Sequence, residues 1–302
     1  MTKSAFEKYF VRNPIYEFGE GVKNRQSPNM TYMSSEQVPE ANYYVTLSWI
    51  YGIPEPNPSV HEHVLDYDQI LLYVGGDSST PQDLGGEIEF YIEGQLIKFN
   101  TTTGVFIPKG TSRGPMKWKN FRYPHLEIAI TLGTGDLKTA WGKSGIKESK
   151  HELPVKKDDF DYEQYVIRSP LRESGDFFTQ GRQSPTMTYM SRNQINIANY
   201  YIEFGWIYGI PKPDISEMLH QKYEELVLHI GGDPQNPKEL GADMQFGLGG
   251  EIHSFNSTFA TFIPRGLRHG PLVWKEVRKP HIEMAIMLGA GTLAEGWADS
   301  QI

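Results

Sequence analysis

Residues Tyr51 to Asp77 read YGIPEPNPSVHEHVLDYDQILLYVGGD. Two histidines fall on alternate positions, His61 and His63, before a carboxylate, Asp68, and a turn at Gly75 and Gly76. Histidine and carboxylate side chains together are the residue types that hold divalent metals. Alternate residues of a strand point to one face, so both imidazoles can face one interior. An edited copy, YGIPKPDISEMLHQKYEELVLHIGGD, runs from Tyr208 to Asp233. It keeps one histidine of the pair, His220, with Met218 in place of the other. The chemical question is whether one copy, both or neither holds a metal.

The elements that must position these groups come from a duplication. Tyr9-Phe-Val-Arg12 matches Tyr165-Val-Ile-Arg168, and Arg25-Gln-Ser-Pro28 matches Arg182-Gln-Ser-Pro185. Met30 to Ser34 recurs at Met187 to Ser191, and Trp49 to Pro54 at Trp206 to Pro211. Phe106 to Gly110 recurs at Phe262 to Gly266, Pro124 to Glu127 at Pro280 to Glu283, and Trp141 at Trp297. The period is the size of a domain, so this is a doubled domain and not a solenoid. Residues 143–159 are Lys-rich and poor in apolar side chains, as an exposed linker should be.

Composition sets the limits. The chain has 302 residues, 38% hydrophobic and 13% aromatic, enough for two cores. Gly 30 and Pro 20, spread along the chain, predict many turns and an all-β fold. Runs at 43–50, 69–74, 87–92, 104–107 and 125–132 read as short strands, and 136–141 and 292–297 as short closing helices. The formal charge of −8 disfavours nucleic acid as a partner. Cys is 0, so thiolate ligands and disulfides are excluded, and a reducing, cytoplasmic setting fits. The opening MTKSAFEKYFVRNP lacks the apolar core of a leader, and no long apolar run predicts a membrane span.

An HxH pair, a spaced carboxylate and a Gly, followed later by P-x-G-x-x-H, resemble the two-part signature of the cupin superfamily. The late part is Pro108-Lys-Gly110-Thr-Ser-Arg113 in the first repeat and Pro264-Arg-Gly266-Leu-Arg-His269 in the second. The resemblance covers nearly the whole chain and implies two tandem cupin-type barrels (double-stranded β-helix, or jelly-roll), at 9–142 and 160–298, forming a pseudo-dimer. It implies a metal set of His220, Glu224 and His269 in the second barrel. In the first it implies a weaker set of His61, His63 and Asp68, with Arg113 in place of the late histidine. A guanidinium cannot ligate and repels a cation. Arg113 instead suits a bound anion, or a salt bridge with Asp68.

Two histidines and one carboxylate with open positions suit Fe(II) and O2. The expected function is therefore a metal-dependent dioxygenase acting on a small organic molecule, with Fe(II) favoured over Mn, Ni or Zn. Decarboxylases and isomerases on the same scaffold are alternatives, as is a non-catalytic binding or sensor protein with degenerate metal sites. A homodimer is compatible with this reading. His125, Glu127, His281 and Glu283 are acid/base candidates if their strand face points inward. The duplicated arginines Arg25 and Arg182, and Arg122 and Arg278, are expected to pair with buried acids. Tyr43, Tyr44, Trp49 and Tyr51, with Tyr200, Tyr201, Trp206 and Tyr208, are expected to build the core and the interface between the barrels. His229, out of phase with Glu224, is expected to face away from the pocket, His151 falls in the linker, and His253 is unassigned.

Overall fold

The computed structural model describes residues 4–140, 156, 158–173 and 179–297 and divides into two compact units. One is Pro14–Ser169; the other joins Met1–Asn13 to Pro170–Ile302. The expected linker, with His151, lies almost wholly outside the described residues, as does Trp141.

Each unit is a pair of antiparallel sheets. In Pro14–Ser169 the larger sheet runs Val166–Ile167, Thr103–Ile107, Gln69–Gly75, His125–Leu132, Tyr43–Glu55, Met30–Met33 and Ile15–Tyr16. The smaller runs His63–Val64, Ser112–Phe121, Asp83–Ile92 and Gln95–Thr101. The second unit repeats this order with Phe259–Ile263, Glu224–Gly231, His281–Leu288 and Tyr200–Lys212 opposite Glu251–Ser257, Glu239–Leu248 and His269–Val277. Side chains from both sheets meet in one core per unit, around Tyr73, Phe90 and Trp118 in one and Val227, Phe246 and Trp274 in the other. Among the described residues no helix is long and apolar enough to cross a membrane.

Two short arms depart from the expected boundaries. Phe10–Val11 pairs with Phe259–Ile263, in the unit of the second repeat. Val166–Ile167 pairs with Thr103–Ile107, in the unit of the first. Each arm covers a strand edge that would otherwise present unpaired N–H and C=O groups. Phe10 also inserts its ring among Phe246, Phe255 and His253, with centroids 5.9, 5.0 and 4.6 Å away.

The strands run longer than their turn residues suggest. Tyr43–Glu55 continues past Gly52 and Pro54, and Asp83–Ile92 begins four residues before the alternating run. The Gly-Gly turns are needed for close backbone approach. A Cβ on Gly75 would lie 1.9 Å from the Asp83 carbonyl oxygen, and one on Gly231 1.9 Å from that of Glu239. No rotamer change relieves a clash with backbone. Gly231→Ala should therefore lower the free energy of unfolding by about 2–4 kcal/mol, read from urea denaturation.

Candidate metal centre

The second barrel brings three ligand-type side chains together: His220, Glu225 and His269, with ligand atoms all within 4.8 Å of one another. Glu225 comes from Glu224–Gly231, and His269 opens His269–Val277. His220 lies on the approach to the first of these, where the Gly266 N–H donates to its carbonyl at 2.7 Å. All three are buried. Nε2 of His220 lies 3.3 Å, and Nε2 of His269 3.0 Å, from Glu225 Oε2.

The other ring nitrogens fix the tautomers. His269 Nδ1 is 3.3 Å from the Leu267 carbonyl, so it carries the hydrogen. Tyr223 directs its hydroxyl hydrogen to the Gly296 carbonyl at 3.0 Å and therefore receives the Nδ1–H of His220 at 2.7 Å. Both Nε2 lone pairs then point at a carboxylate, an arrangement that calls for a cation or a proton between them. Burial opposes ionisation of Glu225, but the two histidines outweigh it and hold the carboxyl at about 2. Burial lowers the His269 imidazole, and the Glu225 hydrogen bond more than reverses this, so its pKa is raised. The donor set and its orientation fit a divalent metal.

Glu224, expected as the ligand, is displaced by its neighbour. Residues on a strand alternate, and the inward phase of Glu224–Gly231 is Glu225, Val227 and His229. Glu224 faces the other way, partly exposed, with Arg265 at 4.0 Å. For the same reason His229 does not face away. It is fully buried and stacks on Phe259 at 4.8 Å, where burial pushes its pKa well below the usual value.

The first barrel does not assemble His61, His63 and Asp68; among the described residues only the second-barrel trio forms such a group. Gly110 N–H donates to the Leu65 carbonyl at 2.8 Å, as Gly266 does to His220, so Leu65 holds the position of His220. Arg113 lies across from His63, as His269 lies across from Met218. HEHVL is thus in register with SEMLH, and the HxH pair sits two residues early. Leu65, Gln69 and Arg113 replace His220, Glu225 and His269. Asp68 points outward and accepts the Lys109 N–H at 2.8 Å. Arg113 is 1% exposed and donates to Gln69 Oε1 at 2.8 Å. Burial pulls its guanidinium down to about 9, with Asp68 opposing, so it stays charged at neutral pH. Arg113 is bonded to Gln69 and not to Asp68, and it is not part of the wall of the barrel cavity.

The remaining candidates do face inward. His125 and His281 accept from Trp118 Nε1 and Trp274 Nε1, each at 3.0 Å, and burial holds both imidazoles at about 4. With that lone pair committed, neither is placed to move a proton. Glu127 pairs with Arg25 at 3.6 Å and Glu283 with Arg182 at 3.3 Å, as expected, whereas Arg122 and Arg278 pair with the partly exposed acids Asp83 and Asp243. Burial raises the Glu283 carboxyl; Arg182 opposes this and Glu225 adds to it. His253 contacts Phe10 and Glu7, away from the trio.

No protein-family model matches the chain, and no curated protein matches it. Solved structures do. AerE from Microcystis aeruginosa superimposes with a TM-score of 0.52 at 10% identity, over 93% of this chain and 99% of that one. A variant of oxalate decarboxylase from Bacillus subtilis gives 0.56 at 7% identity, over 94% and 77%. Vicilin from Corylus avellana (hazelnut) gives 0.55 at 9% identity, over 94% and 86%. The chain has the duplicated cupin fold. The two barrels differ at this corner: the first has a histidine, His63, at the place of Met218, and the second has the trio His220, Glu225 and His269.

Metal content should follow the geometry. His269→Ala and Glu225→Gln should each reduce bound Fe(II) or Mn(II) at least tenfold by elemental analysis, and Glu224→Gln should leave it unchanged. Protons and metal compete for Nε2 of His269. Because its pKa in the metal-free site is raised, affinity should already fall as pH drops towards 6.5. Below that it should fall roughly tenfold per pH unit for one competing proton, measured by metal titration.

Proposed function

We propose that the second barrel is a divalent-metal-dependent catalytic centre acting on a small organic molecule, with oxygenase chemistry as the leading reading. The observation that carries it is the pair of Nε2 lone pairs, of His220 and His269, aimed at one buried carboxylate, Glu225. Three protein ligands leave positions for substrate and O2, and a metal so held acts by binding and polarising both. Fe(II) suits this ligand set; Mn(II) is the main competitor.

The chain's own residues contribute orientation and charge. Tyr223 locks the His220 ring, stacking on it at 4.6 Å as well as bonding to Nδ1. Glu203 and Glu283 lie on the same inward faces as Glu225, across from Ala285 and His229. Arg182 lies 3.3 Å from Glu283 and offers a fixed cation to an anionic substrate group.

Decarboxylation is a second reading, supported by Glu283. A buried carboxyl with a raised pKa can hand a proton to a carbanion, a step that oxygenation does not require. The structural likeness to oxalate decarboxylase is compatible with it and, at 7% identity, is a likeness of fold.

The test is turnover by the Fe(II)- and Mn(II)-loaded protein on catechol-type, 1,3-diketone and 2-oxo acid panels, following oxygen uptake and CO2 release together. Oxygen uptake is expected, at least 100-fold lower in His269→Ala. CO2 release without oxygen uptake, lost in Glu283→Gln, would replace the oxygenase by the decarboxylase. Stoichiometric metal with neither signal would leave a binding protein.

A further inference from the structure

Each short arm precedes one repeat in the sequence and completes the barrel of the other, and both dock in the same way. Phe10 and Val11 lie opposite Thr261 and Ala260; Val166 and Ile167 lie opposite the equivalent Val105 and Gly104. Tyr9 contacts Phe262 at 6.1 Å, and Tyr165 contacts Phe106 at 6.0 Å. Arg12 donates from Nη1 to the Ser254 carbonyl at 2.8 Å, and Arg168 from Nη2 to the Lys98 carbonyl at 2.7 Å. Ser254 and Lys98 are each the fourth residue of their strands, Glu251–Ser257 and Gln95–Thr101. Each arginine also bonds at 2.6 Å to the glutamate that opens its arm, Glu7 or Glu163. The docked segment is therefore Glu-x-Tyr, two apolar residues and Arg, at 7–12 and again at 163–168.

Two independent copies of one contact set make this a mode of recognition. A strand added to a sheet edge gains main-chain hydrogen bonds, and the places that receive its side chains give it specificity. The second barrel receives its arm with more side-chain contacts than these. The Phe10 ring joins the core beside Phe246 and Phe255. The Arg12 guanidinium lies 4.1 Å from the Phe255 centroid, and Glu7 lies 3.3 Å from His253. The units divide at Asn13–Pro14 and Ser169–Pro170, so both joints end in a proline, which has no N–H to pair the joint with a neighbouring strand. Each contact named above is within the arm or to the other repeat's barrel, and none involves the joint. An arm supplied by another molecule can therefore make them all.

We propose that the N-terminal arm is an exchangeable docking segment, and that the edge of Phe259–Ile263 takes the arm of a second copy of this chain in place of its own. Exchange of an identical element conserves every arm contact. The tether favours the chain's own arm in dilute solution, and exchange rises with protein concentration. The inference is independent of the metal reading of the second barrel.

The chain has no native cysteine, so introduced cysteines report the contact directly. Val11→Cys and Ala260→Cys, at cross-strand partners, are placed in two separate full-length copies. Mixed at millimolar concentration under mild oxidation, they should give a disulfide-linked dimer. Its yield should be at least tenfold that of Val11→Cys mixed with Ile197→Cys, an exposed position outside the docking edge. A peptide of residues 4–13 should suppress the dimer, and the same peptide with Phe10→Ala and Arg12→Ala should not. One copy carrying both cysteines should close the bond within the chain. The proposal is overturned if that copy closes its bond while the mixture gives no dimer above the control, or if the altered peptide suppresses the dimer as well as the native one. If a cysteine variant does not fold, or the bond within one chain does not close, uptake of a fluorescent peptide of residues 4–13 by the Arg12→Ala chain decides. Saturable uptake supports exchange, and no uptake overturns it.

Discussion

A carboxylate buried as deeply as Glu225 is tolerated only with donors or cations around it. The second barrel meets that demand with two imidazoles, each locked by a contact to its far nitrogen. The lock draws on distant parts of the chain. Glu225 and His269 belong to different sheets, and the Gly296 carbonyl that orients Tyr223 sits in the short helix Leu293–Trp297. Pairing of the two sheets therefore brings the ligands together, and closure of the last helix sets the tautomer of one of them.

The duplication supplies an internal control. Features present in both barrels cannot depend on the metal-type set, since only one barrel has it. Trp118 with His125 and Trp274 with His281 are such a feature, and so are Arg25 with Glu127 and Arg182 with Glu283. They belong to the scaffold and the cavity wall. What differs is one corner, where Leu65, Gln69 and Arg113 form their own satisfied arrangement. Gln69 accepts from Arg113 and donates to Thr131 Oγ1 at 3.3 Å. The three positions together hold a tethered cation and leave no place for a free one.

The duplication, the all-β class and the late histidine were legible in the sequence, because turn residues and repeated motifs survive in order. The carboxylate was not. Glu224 and Glu225 are adjacent acids, and both faces of their strand are buried, with Leu226 and Leu228 on one and Val227 and His229 on the other. Alternation then gives no polar face to mark the outside. The register of HEHVL was hidden similarly. Chain length between the strand ending at Glu55 and the one starting at Gln69 differs from that in the second repeat, so the histidines of HEHVL and SEMLH resemble each other by type at positions that do not correspond in space. The Gly110 and Gly266 backbone hydrogen bonds settle it.

Charge on the inward faces separates the two barrels most sharply. At equivalent positions the second barrel has Glu203, Glu225 and Glu283 where the first has Thr46, Gln69 and Glu127. Against these stand Arg182 in the second and Arg25 with Arg113 in the first. Three acidic side chains facing one guanidinium leave the second interior short of positive charge, which protons or a divalent cation can supply. In the first, Glu127 and the cavity-lining Glu62 stand against Arg25 and Arg113, which leaves no such deficit. The same scaffold therefore has a deficit of positive charge inside one barrel and none inside the other, and that difference lies in side chains that no strand needs in order to form.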